Sequence, residues 1–190
     1  MYYEKKNKKY YMSIQKYQKT YSMKISHVYT YIFLLYMMAG AVTFIFEKIW
    51  VSDSLIIKHN WLFLVLLVLA VLLHEIIHAV FAAIFSPNGF KNIKIGLSLK
   101  SVIAYCSINE NMKVINFKLV AIAPFIILGI IPLIVSFIYG WKVIFNISII
   151  LSLGSIGDLI LFYWLCKEKN NYWVKDTGGT KKLEIIVFEQ

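Results

Sequence analysis

The chain has 190 residues, 59% of them hydrophobic, with a mean hydropathy of +0.67 and a net charge of +10 whose basic side chains are all lysine. The apolar residues fall in long runs, which excludes an ordinary soluble domain and points to a polytopic membrane protein. The lysine surplus then reports first on topology, and no nucleic-acid partner is expected.

Residues 1–27 form a basic tail. Lys5, Lys6, Lys8, Lys9, Lys16, Lys19 and Lys24 face a single acid, Glu4, with tyrosines interleaved. Such a juxtamembrane segment suits the anionic cytoplasmic face of a lipid bilayer. It is too long and too Tyr-rich for a signal peptide and shows no small-residue cleavage site. Residues 28–46 are the first predicted span, since about 20 apolar residues cross a bilayer. Ala39-Gly40-Ala41 gives that span a patch for close helix approach. Residues 47–60 read as a short outer loop with balanced charge, anchored by Trp50 and Trp61. His59 there reads as a solvated side chain near the interface.

The second predicted span, residues 61–85, contains Leu73-His74-Glu75-Ile76-Ile77-His78-Ala79, an H-E-x-x-H pattern. On a helix His74 and His78 share one face, one turn apart. Two neutral imidazoles so placed can hold Zn²⁺, and Glu75 can act as the general base. The setting sharpens this reading. A charged side chain at mid-bilayer costs ~2.5–3.5 kcal/mol on insertion scales unless something compensates it, and a metal does so. The alternative is a chance match whose polar side chains bond to neighbouring helices.

Ser86-Pro87-Asn88-Gly89 is a turn signal. Residues 90–116 carry four lysines against Glu110 and alternate apolar with polar, so a small cytoplasmic β-hairpin is expected. The third span, 117–139, holds Pro124, Gly129 and Pro132. Proline in a span frees backbone carbonyls, which is tolerated against protein or a wet cavity. The fourth span, 141–165, holds Ser152, Gly154, Ser155, Gly157 and Asp158. Residues 167–190 are polar and Lys-rich, with a turn at Asp176-Thr177-Gly178-Gly179-Thr180 before a predicted strand, 183–188. The expected fold class is therefore an all-α membrane protein with four transmembrane helices, a cytoplasmic hairpin between spans two and three, and a short C-terminal β segment. It divides into a tail (1–27), a four-span membrane domain (28–166) and a second tail (167–190). Both termini are expected in the cytoplasm and the protein in the cell membrane.

Asp158 and Glu75 are the only acids in the predicted spans. The histidines lie ~15 Å, and Asp158 ~12 Å, before the cytoplasmic ends of their spans at 1.5 Å per residue. No lysine lies at that depth, so the simplest cation for Asp158 is the metal. His74, His78 and Asp158 would then be three protein ligands, with the fourth position open as a catalytic zinc requires. Asp158 hydrogen-bonded to Ser152 or Ser155 is the other reading. Asp176 is a rival ligand, but this topology places it outside the membrane, where an Asx-type turn is its expected use. Cys106 is a second rival, although a buried cysteine usually packs as a small apolar residue. Cys106 and Cys166 both fall on the cytoplasmic side, where thiols stay reduced.

His-Glu-Ile-Ile-His in a span, Ala123-Pro124-Phe125, Gly154-Ser155-Ile156-Gly157-Asp158 and Val174-Lys175-Asp176 together resemble the zincin peptidase family of small bacterial membrane proteins, over residues 61–189. That family is similar in layout to site-2 proteases. The resemblance implies His74 and His78 as metal ligands, Glu75 as catalytic base and, by analogy, Asp158 as third ligand. It departs from site-2 proteases around Asp158, which is flanked by Gly157 and Leu159 instead of an Asp-Gly pair. Two functional classes follow. One is a zinc metalloprotease acting on a membrane-tethered peptide or protein. The other is a non-enzymatic membrane protein, such as an immunity or transport accessory factor, with a structural metal or polar cluster. The sequence leaves the substrate and oligomeric state open.

Overall fold

The computed structural model describes residues 17–49, 60–98, 103–177 and 182–189. The expectations for residues 1–16, for Trp50 and His59 in the outer loop, and for residues 178–180 of the C-terminal turn lie outside the described residues. The chain is mostly helical. Helix α1 spans Ile25–Ile49 and α2 spans Asn60–Phe85. Helix α3, Val114–Pro124, runs through a π-helical segment, Phe125–Ile130, into α4, Ile131–Tyr139. Helices α5, Lys142–Gly154, and α6, Ile156–Cys166, meet at a bend of 49°. Three helices are long and apolar enough to cross a membrane, and a fourth if the bent pair is one span.

The breaks follow from residue type. Gly140 has a left-handed φ of 70°, which only glycine adopts at little cost, and it ends α4. Trp141 N–H then donates back to the Ser136 carbonyl at 2.9 Å. The fourth predicted span is bent at Gly154-Ser155, the Gly/Ser pairing at which kinks commonly occur. There the Ser155 hydroxyl donates to the Leu151 carbonyl at 2.9 Å and competes with the helix ladder.

Six strands accompany the helices. They are β1 (Gln18–Lys24), β2 (Ile93–Ser98), β3 (Ile103–Ile108), β4 (Met112–Lys113), β5 (Trp173–Asp176) and β6 (Lys182–Phe188). Strands β2 and β3 form the expected antiparallel hairpin. The remaining four make one sheet in the order β1-β6-β5-β4. The all-α class therefore needs extending. The C-terminal β segment is half of a sheet whose edge comes from the N-terminal side of α1. Strand β1 pairs with β6 antiparallel, Gln18 opposite Phe188 and Lys24 opposite Lys182.

Strand β1 was read as tail because lysine dominates it. Its alternation is nonetheless period two: Tyr21 and Met23 are half-buried while their neighbours are exposed. Tyr17 and Tyr21 donate their hydroxyls to the buried Glu168 carboxylate, just beyond α6, and the Lys19 ammonium lies 3.4 Å from it. Tyr21 also stacks on Trp164. Burial, followed by the Glu168 carboxylate, raises the pKa of both phenols, which keeps them as donors. This clasp ties β1 to the end of the helix that carries Asp158. Below it Met112, Val114, Phe117, Leu165, Val174 and Val187 form the main buried core.

Close helix approach occurs at Gly129, in the π-helical segment. A Cβ built there would lie 2.5 Å from Ser152 Oγ and 3.5 Å from Ser152 Cα. Replacing Gly129 with Val should therefore overpack the contact with α5 and cost ~1–3 kcal/mol. Thermal unfolding in detergent measures this, and an unchanged midpoint would show that α5 does not seat on Gly129.

Candidate metal centre

Helix α2 is apolar along most of its length, so its three ionisable side chains stand out. His74 and His78 are each 8% exposed and Glu75 is 9% exposed. The imidazole rings lie edge to face, with centroids 4.8 Å apart. Asp158, in the first turn of α6, reaches between them. Its Oδ2 lies 3.2 Å from His74 Nε2 and its Oδ1 lies 3.4 Å from His78 Nε2. Among the described residues these three form a group whose ligand atoms all lie within 4.8 Å of one another.

The predicted depth match between spans two and four is thus met by the geometry. The alternative serine partners for Asp158 are otherwise engaged or idle. Ser155 Oγ bonds to Leu151, and Ser152 Oγ is buried with no hydrogen-bond partner.

The donor set fits a divalent metal. Two imidazoles and a carboxylate suit zinc, and a tetrahedron with bonds of ~2.0–2.1 Å has edges of ~3.3 Å. The 3.2 and 3.4 Å separations use different carboxylate oxygens, and with one donor atom from each residue the three lie within 4.8 Å of one another. A second observation concerns hydrogens. His78 Nδ1 lies 2.9 Å from the Val120 carbonyl, which can only accept, so Nδ1 carries the hydrogen. In the neutral ring Nε2 then presents a lone pair to Asp158 Oδ1. Two buried acceptors facing each other at 3.4 Å need a cation between them, either a proton, which makes an imidazolium–carboxylate pair, or a metal ion.

Glu75 makes no hydrogen bond among the described residues. It lines, with the three candidate ligands, a cavity of about 460 Å³ that extends to the hairpin and to Asp176 and Lys182 of the sheet. Cys106 and Asp176 border this cavity but lie outside the three-residue group. Burial first, and then the carboxylates of Glu75, Asp176 and Asp158, push the Cys106 thiol up to about 12. Cys166 is exposed.

Small residues in a span let a neighbouring helix approach closely, but the glycines beside Asp158 do not serve that purpose here. A Cβ at Gly154 or Gly157 would meet nothing within 4 Å, and both residues border the cavity. They leave its wall bare, and the close helix contact is made at Gly129 instead. The clasp on Glu168 had no motif to reveal it. Its signal was the two-residue spacing of Tyr17, Lys19 and Tyr21, together with Glu168 just beyond the last predicted span.

Fold and site together define a helical protein with membrane-length helices and a His-His-carboxylate group where two of them meet a cavity. The chain belongs to the family described as "Putative zincin peptidase", whose model matches residues 67–173. It is also similar to an uncharacterized 24.7 kDa protein in the gap 5′ region of Pyrococcus woesei, at 33% identity over 146 residues. That match covers 70% of this chain and 60% of the relative's length. No solved structure matches the chain.

Proposed function

We propose that this chain is a zinc-dependent metalloprotease that hydrolyses a peptide bond in a membrane-tethered substrate, within or at the surface of the cell membrane. The gathering of His74, His78 and Asp158 into one group carries the reading, and the description of the matched family as zincin peptidases supports it. His74, His78 and Asp158 would hold the ion. Bound there, zinc supplies a Lewis acid for the scissile carbonyl. Glu75 takes a proton from the attacking water and delivers it to the departing amine. Its lack of a fixed partner leaves the carboxylate free for both transfers.

The cavity borders β3, so an extended segment pairing with the hairpin would lie beside the centre. The lysine distribution supports four crossings with both termini in the cytoplasm. A reporter active only outside the cytoplasm should give signal when fused after Asp53, and none after Lys100 or Lys175. The reverse pattern would sink this topology.

The metal itself is tested by content. Purified protein should contain about one zinc per chain, as a single three-ligand site implies. His74→Ala with His78→Ala should lose most of it. Undiminished zinc in that double variant would remove the motif as the site. One zinc per chain without any cleavage would favour the non-enzymatic class.

A further inference from the structure

We infer that Pro124 is a positioning residue for the metal centre, acting through the Val120 carbonyl on His78. The inference rests on the reading of His78 as a ligand. In a helix the N–H of residue 124 would donate to the carbonyl of residue 120, and proline has no N–H to give. The next donor along the chain does not fill the gap, because Phe125 N–H goes to the Ile122 carbonyl. Val120 is 3% exposed, so water does not readily satisfy its oxygen. The donor that does is His78 Nδ1–H, at 2.9 Å from the neighbouring helix α2.

The chain of cause is short. A ring at position 124 removes one backbone donor. The freed carbonyl takes a hydrogen from a ring nitrogen of His78. That fixes which nitrogen keeps its lone pair, and Nε2 faces Asp158 as a result. A hydrogen bond of this kind orients a metal-binding imidazole and raises its basicity, and losing one typically costs 10–100-fold in metal affinity.

The test separates the missing donor from the shape of the ring. Pro124→Ala restores an N–H that competes for the Val120 carbonyl. Replacing Pro124 with the α-hydroxy analogue of alanine, which puts an ester in the main chain, removes both the ring and the N–H. In metal-free full-length protein, at a pH alkaline enough for the His78 ring to be neutral, ¹⁵N shifts of that ring report which nitrogen is hydrogenated. The parent and the ester variant should both show hydrogen on Nδ1. Pro124→Ala should show a population with hydrogen on Nε2, and should bind zinc about 10–100-fold more weakly. Pro132→Ala should change neither reading.

An unchanged His78 spectrum in Pro124→Ala would overturn the inference. So would an ester variant that loses the Nδ1–H form, and this variant decides the matter even if the alanine variant does not fold. The spectra are recorded without metal or substrate, so a failure of the protease reading leaves this result intact.

Discussion

Glu75→Gln is expected to retain about one zinc per chain and to lose cleavage by roughly 10²–10⁴-fold, the usual contribution of a positioned general acid–base group. The substitution keeps the side chain's size and removes only its ability to take up a proton. Glu75 is buried beside both histidines but outside the three-residue group, so the donor set is untouched. Paired measurements of zinc content and of peptide cleavage in reconstituted protein check both halves. Cleavage at the parental rate would exclude Glu75 as the base. Loss of zinc alongside loss of activity would instead make Glu75 part of the binding site.

Asp158 carries the second large effect. Asp158→Asn should weaken zinc binding and abolish detectable cleavage, because an amide is a poorer, uncharged donor for the metal. The reason lies in the contacts: the carboxylate spends one oxygen on each imidazole, at 3.2 and 3.4 Å. An amide presents one oxygen and one NH₂ group, so it cannot serve both rings alike. Asp158→Glu keeps the charge but displaces it by about 1 Å, enough to cost on the order of 10²-fold in rate. Zinc titration and cleavage kinetics on both variants separate binding from chemistry. If the asparagine variant binds zinc like the parent, the carboxylate has only a hydrogen-bonding role.

Much of this centre was legible in the sequence, for physical reasons. H-E-x-x-H puts two histidines on one helix face with a glutamate beside them through helix periodicity alone. Asp158 stood out because an acid in an apolar span must find a cation, and depth then matched it to the histidines. The hairpin showed through its alternation. What stayed hidden was long-range. Nothing local says that Gln18–Lys24 pairs with Lys182–Phe188, since a Lys-rich strand resembles a tail until its partner is present. The bend between α5 and α6 was equally hard to see, because Gly154-Ser155 in an apolar run also reads as a packing patch. Gly154 and Gly157 face open cavity, and only the positions of other helices distinguish that from close contact. Pro124 sat in plain view, but the acceptor it frees acquires a meaning only once α2 lies alongside α3.

The pairing of β1 with β6 has a consequence for biosynthesis. The ribosome makes β1 ahead of α1 and makes β6 only after α6, at the far end of the described chain. Translation at ~5–20 residues per second leaves β1 without its partner for on the order of ten to thirty seconds. During that interval α1 and α2 can enter the bilayer, while Tyr17, Lys19 and Tyr21 wait for Glu168. The His74–His78 pair waits equally long for Asp158. Ordering of the sheet and assembly of the His74–His78–Asp158 group are thus late events of one nascent chain, and a ribosome stalled before residue 158 would carry the two histidines without Asp158.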